Sequence, residues 1–259
     1  AAGINRYPDM AAIDVRTTIA DHLGLPATHV AVGCGSSALC QQLIQATCTD
    51  GDEVIFAWRS FEAYPILARV AGAVPVAVPL DADHRHDLDA MAAKIGDRTR
   101  LVFICNPNNP SGTTITAAEF EAFMAKVPAD VLVALDEAYI EFVQPADGDR
   151  GTDGRATGID TPNAVDAVAK YPNVVGLRTF SKVYGLAGLR IGYVFGAAEI
   201  IEAINKVCIP FSVNALAQVA AVESLRAVDE LEARIAGVRD QRVRVTAAIN
   251  GAAGAEVVV

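Results

Sequence analysis

Residues 101–139 read LVFICNPNNPSGTTITAAEFEAFMAKVPADVLVALDEAY, and the order of patterns within them decides the fold. Leu101–Cys105 and Val131–Leu135 are apolar at consecutive rather than alternate positions, which predicts strands covered on both faces. Between them, Ala117–Val127 reads as a helix. Strand, helix and strand in that order predict a parallel pair joined by a crossover helix.

The same alternation extends in both directions. Further Val- and Ile-rich runs lie at His29–Val32, Glu53–Ala57, Val74–Leu80, Val174–Arg178 and Ile191–Phe195. Helical candidates fall at Asp9–Leu23, Ser37–Ala46, Glu62–Ala71, Leu88–Ile95, Glu199–Val207 and a long stretch from Ala215 towards Asn250. The expected class is α/β, with a mostly parallel central sheet covered by helices. Pro145–Thr161, rich in Asp, Gly and Thr, reads as a surface loop or insertion, and Gly251–Val259 as the start of a further strand. No internal repeat is visible.

Composition narrows the function classes. The 259 residues carry a formal net charge of -10 and no Lys/Arg block, so the electrostatic footprint of a nucleic-acid binder is missing. The apolar runs are far shorter than the roughly 20 residues that cross a bilayer, which predicts a soluble protein. Cys34, Cys40, Cys48, Cys105 and Cys208 form no C-x-x-C pair, as suits reduced cysteines. With no signal-peptide pattern, the expected location is cytoplasmic.

Polar residues of complementary kinds follow four of the strands, where open α/β sheets place ligands. Gly33-Cys34-Gly35-Ser36-Ser37-Ala38 is a small-residue turn into a helix, whose free N–H groups suit a phosphate. It also matches a dinucleotide fingerprint, with Asp52 and Glu53 near the required spacing, and a plain tight turn explains it equally well. Asn106-Pro107-Asn108-Asn109-Pro110-Ser111-Gly112-Thr113 is a rigid polar turn that composition alone leaves as a loop. Asp136 emerges from an apolar strand. There an ionised carboxylate needs a cation such as a protonated pyridine nitrogen, unless it serves as a helix N-cap. In Arg178–Tyr193, Lys182 stands among hydroxyls, with Arg190 eight residues on and Gly185, Gly188 and Gly192 marking close approaches. That combination suits a Schiff-base amine beside an anion anchor.

The order phosphate turn, N-P-N-N-P-S-G-T, D-E-A-Y, then T-F-S-K with Arg190 resembles the fold-type-I pyridoxal 5'-phosphate (PLP) aminotransferases of the histidinol-phosphate aminotransferase subfamily. Phe56–Pro65 and Gly33–Gln42 resemble most the actinobacterial aromatic (phenylalanine-type) members. The resemblance implies a PLP-transferase large domain over 29–210, preceded by a helical dimer-interface segment over 1–28. A long helix and an incomplete small domain would occupy 211–259, the chain being truncated at both ends relative to the family.

It further implies that Lys182 binds the cofactor and moves a proton, that Asp136 holds the pyridine nitrogen protonated, and that Asn109 and Tyr139 bond the ring oxygen. Phe61 would stack on the ring, with Gly35, Ser36, Ser37, Thr179, Ser181 and Arg190 around the phosphate. Tyr7 would reach the phosphate of a neighbouring subunit in a homodimer. No arginine is identified as the substrate-carboxylate anchor.

The implied activity is ping-pong transfer of an amino group between an aromatic amino acid and 2-oxoglutarate, with histidinol phosphate as the alternative substrate. A PLP-dependent decarboxylase or lyase, and an NAD-binding oxidoreductase built on Gly33–Ala38, are the competing readings. His84 and His86 read as part of a solvated loop rather than a metal cluster, and Trp58 as packing.

Overall fold

The structure, a computed structural model, describes residues 5–143 and 160–253. Seven strands form one sheet: β1 Val30–Gly33, β2 Glu53–Trp58, β3 Val74–Pro79, β4 Thr99–Cys105, β5 Leu132–Asp136, β6 Val174–Thr179 and β7 Gly192–Gly196. They are the seven runs read from the sequence. Their order is β1-β7-β6-β5-β4-β2-β3, and only β7 runs antiparallel to its neighbours β1 and β6. The exception has a cause in the chain. No crossover helix separates β6 from β7, only a short connection with one 3-10 turn at Ala187–Leu189, so the strand returns beside its predecessor in the opposite direction.

The helices are α1 Ile13–Leu23, α2 Gly35–Thr47, α3 Ala63–Val70, α4 Leu88–Ala92, α5 Ala117–Met124, α6 Ala164–Lys170, α7 Ala198–Lys206, α8 Ala215–Arg226 and α9 Val228–Ala253. They cover both faces. Val133 and Leu135 of β5 join one core with Ile19 and Phe120, whereas Leu132 and Ala134 join the other with Leu43 and Phe103. This period-two division between two apolar layers is why the sequence pattern is continuous rather than alternating. α1 belongs to the first layer through Val15, Ile19, Ala20 and Leu23.

Three readings change. The helix expected from Asp9 begins at Ile13, because the Asp9 carboxylate accepts from the N–H groups of Ala11 and Ile13 and turns the chain before the helix starts. The long helix from Ala215 is two helices, broken at Ala227, whose ψ of 58° is not helical. α6 was not foreseen; it is two turns long, and Asn163 caps it by accepting from Val165 N–H. Of the expected loop Pro145–Thr161, residues 145–159 lie outside the described residues. Gly251 continues α9 rather than opening a strand, and 254–259 again lies outside. Among the described residues no helix is long and apolar enough to cross a membrane.

Candidate active site

The carboxyl ends of β4, β5 and β6 converge with the amino end of α2 on a cavity of about 250 Å³. Asp136, the last residue of β5, forms its floor at 3% exposure. The Tyr64 hydroxyl donates to Asp136 Oδ2 at 2.7 Å, and Ala138 N–H donates to Oδ1 at 3.2 Å. Burial pushes this carboxyl up to about 6, although both hydrogen bonds pull it down. An acid so placed ionises fully only when a cation is brought to it.

The next residue, Glu137, points to the other face of the sheet. There it is fully buried and paired with Arg178 Nε at 2.8 Å, and it also accepts from Ala164 N–H at 2.7 Å. The two adjacent acids therefore have different surroundings. Asp136 faces the cavity, whereas Glu137 ties β5, β6 and α6 together.

Lys182 enters from the β6–β7 connection, with Nζ 5.0 Å from the Tyr139 ring centroid. Phe61 and Asn109 stand on other walls. At the far end, Ser36 and Ser37 lie in the first turn of α2, which no side chain caps. Thr179, Ser181 and Arg190 face them. Arg190 is left-handed at φ 59° and donates to the Ala187 carbonyl at 3.0 Å and to Ser181 Oγ at 3.4 Å.

The glycines here are steric requirements. Gly35 has φ 77°, and a Cβ on it would collide with the Arg190 guanidinium; one on Gly192 would strike Ser36 N. Gly188, read as a close-approach position, has open space around it. A cationic guanidinium, four hydroxyls and uncapped N–H groups make this end an anion site.

Ten of the twelve expected residues thus line one cavity, and Gly35 lies against its arginine. Tyr7 does not reach it within one chain. It is 82% exposed and stacked on Phe211 at 4.6 Å.

Tyr64, Cys105, Ala138 and Ala187 were not foreseen. Tyr64 follows Phe61 by three residues, with Phe61 just before α3 and Tyr64 in its first turn, and this was the available signal. Burial pushes the Cys105 thiol up to about 12, so it lines the cavity as an unreactive group.

Position bears on three further readings. Asp52 and Glu53 sit at the amino end of β2, bonded to Thr49 and paired with Arg100 and Arg98. That is the wrong end of the sheet for a ribose beside the α2 turn, so the dinucleotide reading fails. His86 is not solvated: it is 7% exposed and bonded to Asn108. His84 is exposed, and among the described residues no group of His, Cys, Asp and Glu can hold a metal ion. Trp58 packs partly buried against the second core, as expected.

These features fit PLP: an amine, a buried acid for a ring nitrogen, an aromatic face at Phe61, and an anion site at the opposite end with no room for a Cβ at Gly35. The comparisons agree. The family described as aminotransferase class I and II matches residues 1–259. An aromatic amino acid aminotransferase of Corynebacterium glutamicum (strain R) is 62% identical over 250 residues, 96% of this chain and 70% of that protein. One from Rhodococcus jostii (strain RHA1) is 57% identical, over 99% of this chain and 67% of that protein. Histidinol-phosphate aminotransferase from Sinorhizobium meliloti, solved in complex with pyridoxal-5'-phosphate, superposes with a TM-score of 0.84 at 29% identity. That match covers 95% of this chain and 63% of the solved one. With a fold, a pocket and a whole-length family match in agreement, the chain belongs to the class I and II aminotransferases, enzymes whose cofactor is PLP.

Proposed function

We propose that this protein moves an amino group between an aromatic amino acid and 2-oxoglutarate by a ping-pong mechanism. The observation that carries the chemistry is the placement of Lys182 and buried Asp136 on one cavity whose far end is an anion site. Aromatic specificity rests on the names of relatives at 62% and 57% identity. Histidinol phosphate is the second reading, favoured by the structural likeness to the Sinorhizobium meliloti enzyme.

When bound, PLP supplies an electron sink that stabilises negative charge developing at the substrate's Cα. The chain's residues would do the rest. Lys182 Nζ is the amine that carries the cofactor and, once freed, the base that moves the Cα proton. Asp136 keeps the ring nitrogen protonated. Asn109 and Tyr139 donate to the ring oxygen, and Phe61 stacks on the ring. Ser36, Ser37, Thr179, Ser181 and Arg190 hold the phosphate, with Gly35 leaving room for it.

The large, cofactor-binding domain would span 29–210, with the start of a smaller one after it. Tyr7, exposed beside Phe211, would complete the phosphate site of a second subunit in a homodimer. The cysteines are free, which suits a cytoplasmic enzyme.

The test is incubation of the PLP-loaded enzyme with phenylalanine alone. Stoichiometric pyridoxamine phosphate is expected, and catalytic carbon dioxide release would overturn the reading in favour of a decarboxylase. Turnover of imidazole-acetol phosphate faster than phenylpyruvate would replace the aromatic substrate with histidinol phosphate. Loss of borohydride-fixed cofactor in Lys182→Ala checks the anchoring residue.

A further inference from the structure

The connection between β3 and α4 lines no part of the cavity, yet it is bonded to a turn that does. The Thr113 hydroxyl donates to the His84 carbonyl at 2.8 Å, Arg85 Nε donates to the Thr114 carbonyl at 3.1 Å, and the His86 ring meets Asn108. Only the last of these is buried on both sides, His86 at 7% and Asn108 at 3% exposure.

The direction of the bond can be assigned. Asn108 Nδ2 donates to the Arg59 carbonyl at 3.1 Å and to Ser111 Oγ at 2.7 Å. A carbonyl can only accept, so the Asn108 amide is oriented with Oδ1 towards His86 Nε2, 3.0 Å away. Nε2 must then carry the proton. His86 Nδ1, buried and without a partner, agrees, because a proton there would have no acceptor. Burial also disfavours the doubly protonated ring.

This arrangement joins three segments through one side chain. Asn108 precedes Asn109, which lines the cavity, and Arg59 lies two residues before Phe61, which lines another wall. Asn108 also closes its own turn, donating its N–H to the Thr113 carbonyl and accepting from Gly112 N–H. A neighbour that fixes the Asn108 amide therefore fixes the spacing between the segments carrying Asn109 and Phe61.

We propose that His86 is a positioning residue for the cofactor site, acting through its Nε2–H bond to Asn108 to hold Asn109 against the cofactor's ring oxygen and Phe61 over the ring. The inference rests on the PLP reading. Without the histidine donor, Asn108 Oδ1 is left unpaired in a buried position and the amide turns to seek a partner. Asn109 then loses its alignment. A donor withdrawn from the ring oxygen leaves more negative charge there to hold the proton of the lysine-linked cofactor, which raises the pH at which its absorbance changes.

The experiment compares His86→Leu, His86→Gln and Asn108→Ala with the wild-type enzyme, each loaded with PLP. The readouts are the pH midpoint of the cofactor's absorbance, kcat, and amide exchange at Gly112 without cofactor. His86→Leu and Asn108→Ala are expected to raise the midpoint by about one pH unit, to lower kcat about ten- to hundredfold, and to speed Gly112 exchange. His86→Gln, whose amide can donate from nearly the same place, is expected to restore the midpoint. An unshifted midpoint in Asn108→Ala overturns the proposal even if His86→Leu does not fold, as does a folded His86→Gln as shifted as His86→Leu. Failure of wild-type protein to develop the absorbance would instead overturn the PLP reading.

Discussion

The Tyr64 hydroxyl donates to Asp136 Oδ2 at 2.7 Å across the floor of the cavity. Tyr64 is fully buried and stacked on Phe103 at 4.4 Å, so its ring is held by packing and its hydroxyl is aimed at the carboxylate. Tyr64→Phe keeps the stack and removes the donor. Asp136 must then ionise with one fewer hydrogen bond, at a cost of about 1–3 kcal/mol. PLP is expected to bind about tenfold more weakly at neutral pH, measured by titration of the cofactor-free enzyme. Unchanged affinity would show that Ala138 N–H alone orients the acid.

Glu137 and Arg178 form a buried ion pair whose removal on one side should be felt throughout the sheet. Arg178→Met leaves a charge at 0% exposure without its cation, which costs about 3–5 kcal/mol. Adding Glu137→Gln is expected to recover most of that loss, since an amide oxygen can still accept from Ala164 N–H. Denaturant unfolding of the single and double variants measures both. A double variant no more stable than Arg178→Met would mean that the arginine's packing, not the pair, is what matters.

At the anion end, Gly35→Ala is strained twice over, by φ 77° and by collision with the Arg190 guanidinium. Gly188→Ala meets nothing within 4 Å and is the control. The first is expected to weaken binding of PLP more than tenfold and the second to leave it within about twofold. Equal effects would mean that Arg190 moves aside freely.

Most of the strands were legible because they are apolar at consecutive positions, an imprint that burial on both faces leaves; the edge strand β3, buried only at Val78, was legible from its valines alone. α6 was not, since Ala164–Lys170 is too short to show a period and follows a polar stretch. The break at Ala227 was also hidden, because alanine favours helix and neither proline nor glycine stands near it. Within the site, Lys182, Asp136 and Arg190 were readable as chemically odd residues at strand ends. Tyr64 and His86 were not. An aromatic at the start of a helix looks like core, and a histidine among aspartates looks solvated; only the tertiary fold brings their partners, 72 and 22 residues away, into contact.

The adjacent acids also bear on pH. Glu137 is in contact with its cation, Arg178; Asp136 feels only the weaker field of Lys182, and burial raises its carboxyl to about 6. A raised acid binds its proton more tightly folded than unfolded. Its contribution to stability is therefore present in full below the unfolded value, near 3.9, and disappears as the pH climbs through about 6. Without cofactor, the wild-type enzyme should lose about 2 kcal/mol relative to Asp136→Asn between roughly pH 4.5 and roughly pH 7.5. PLP reverses this, because a ring cation stabilises the ionised carboxylate. The stabilisation conferred by saturating PLP should accordingly grow across that interval in the wild-type protein by more than it does in the variant. Urea unfolding at the two pH values, with and without PLP, gives all four comparisons. Parallel pH profiles for the cofactor-free wild type and Asp136→Asn would show that water reaches the carboxylate and that its burial imposes no charge penalty.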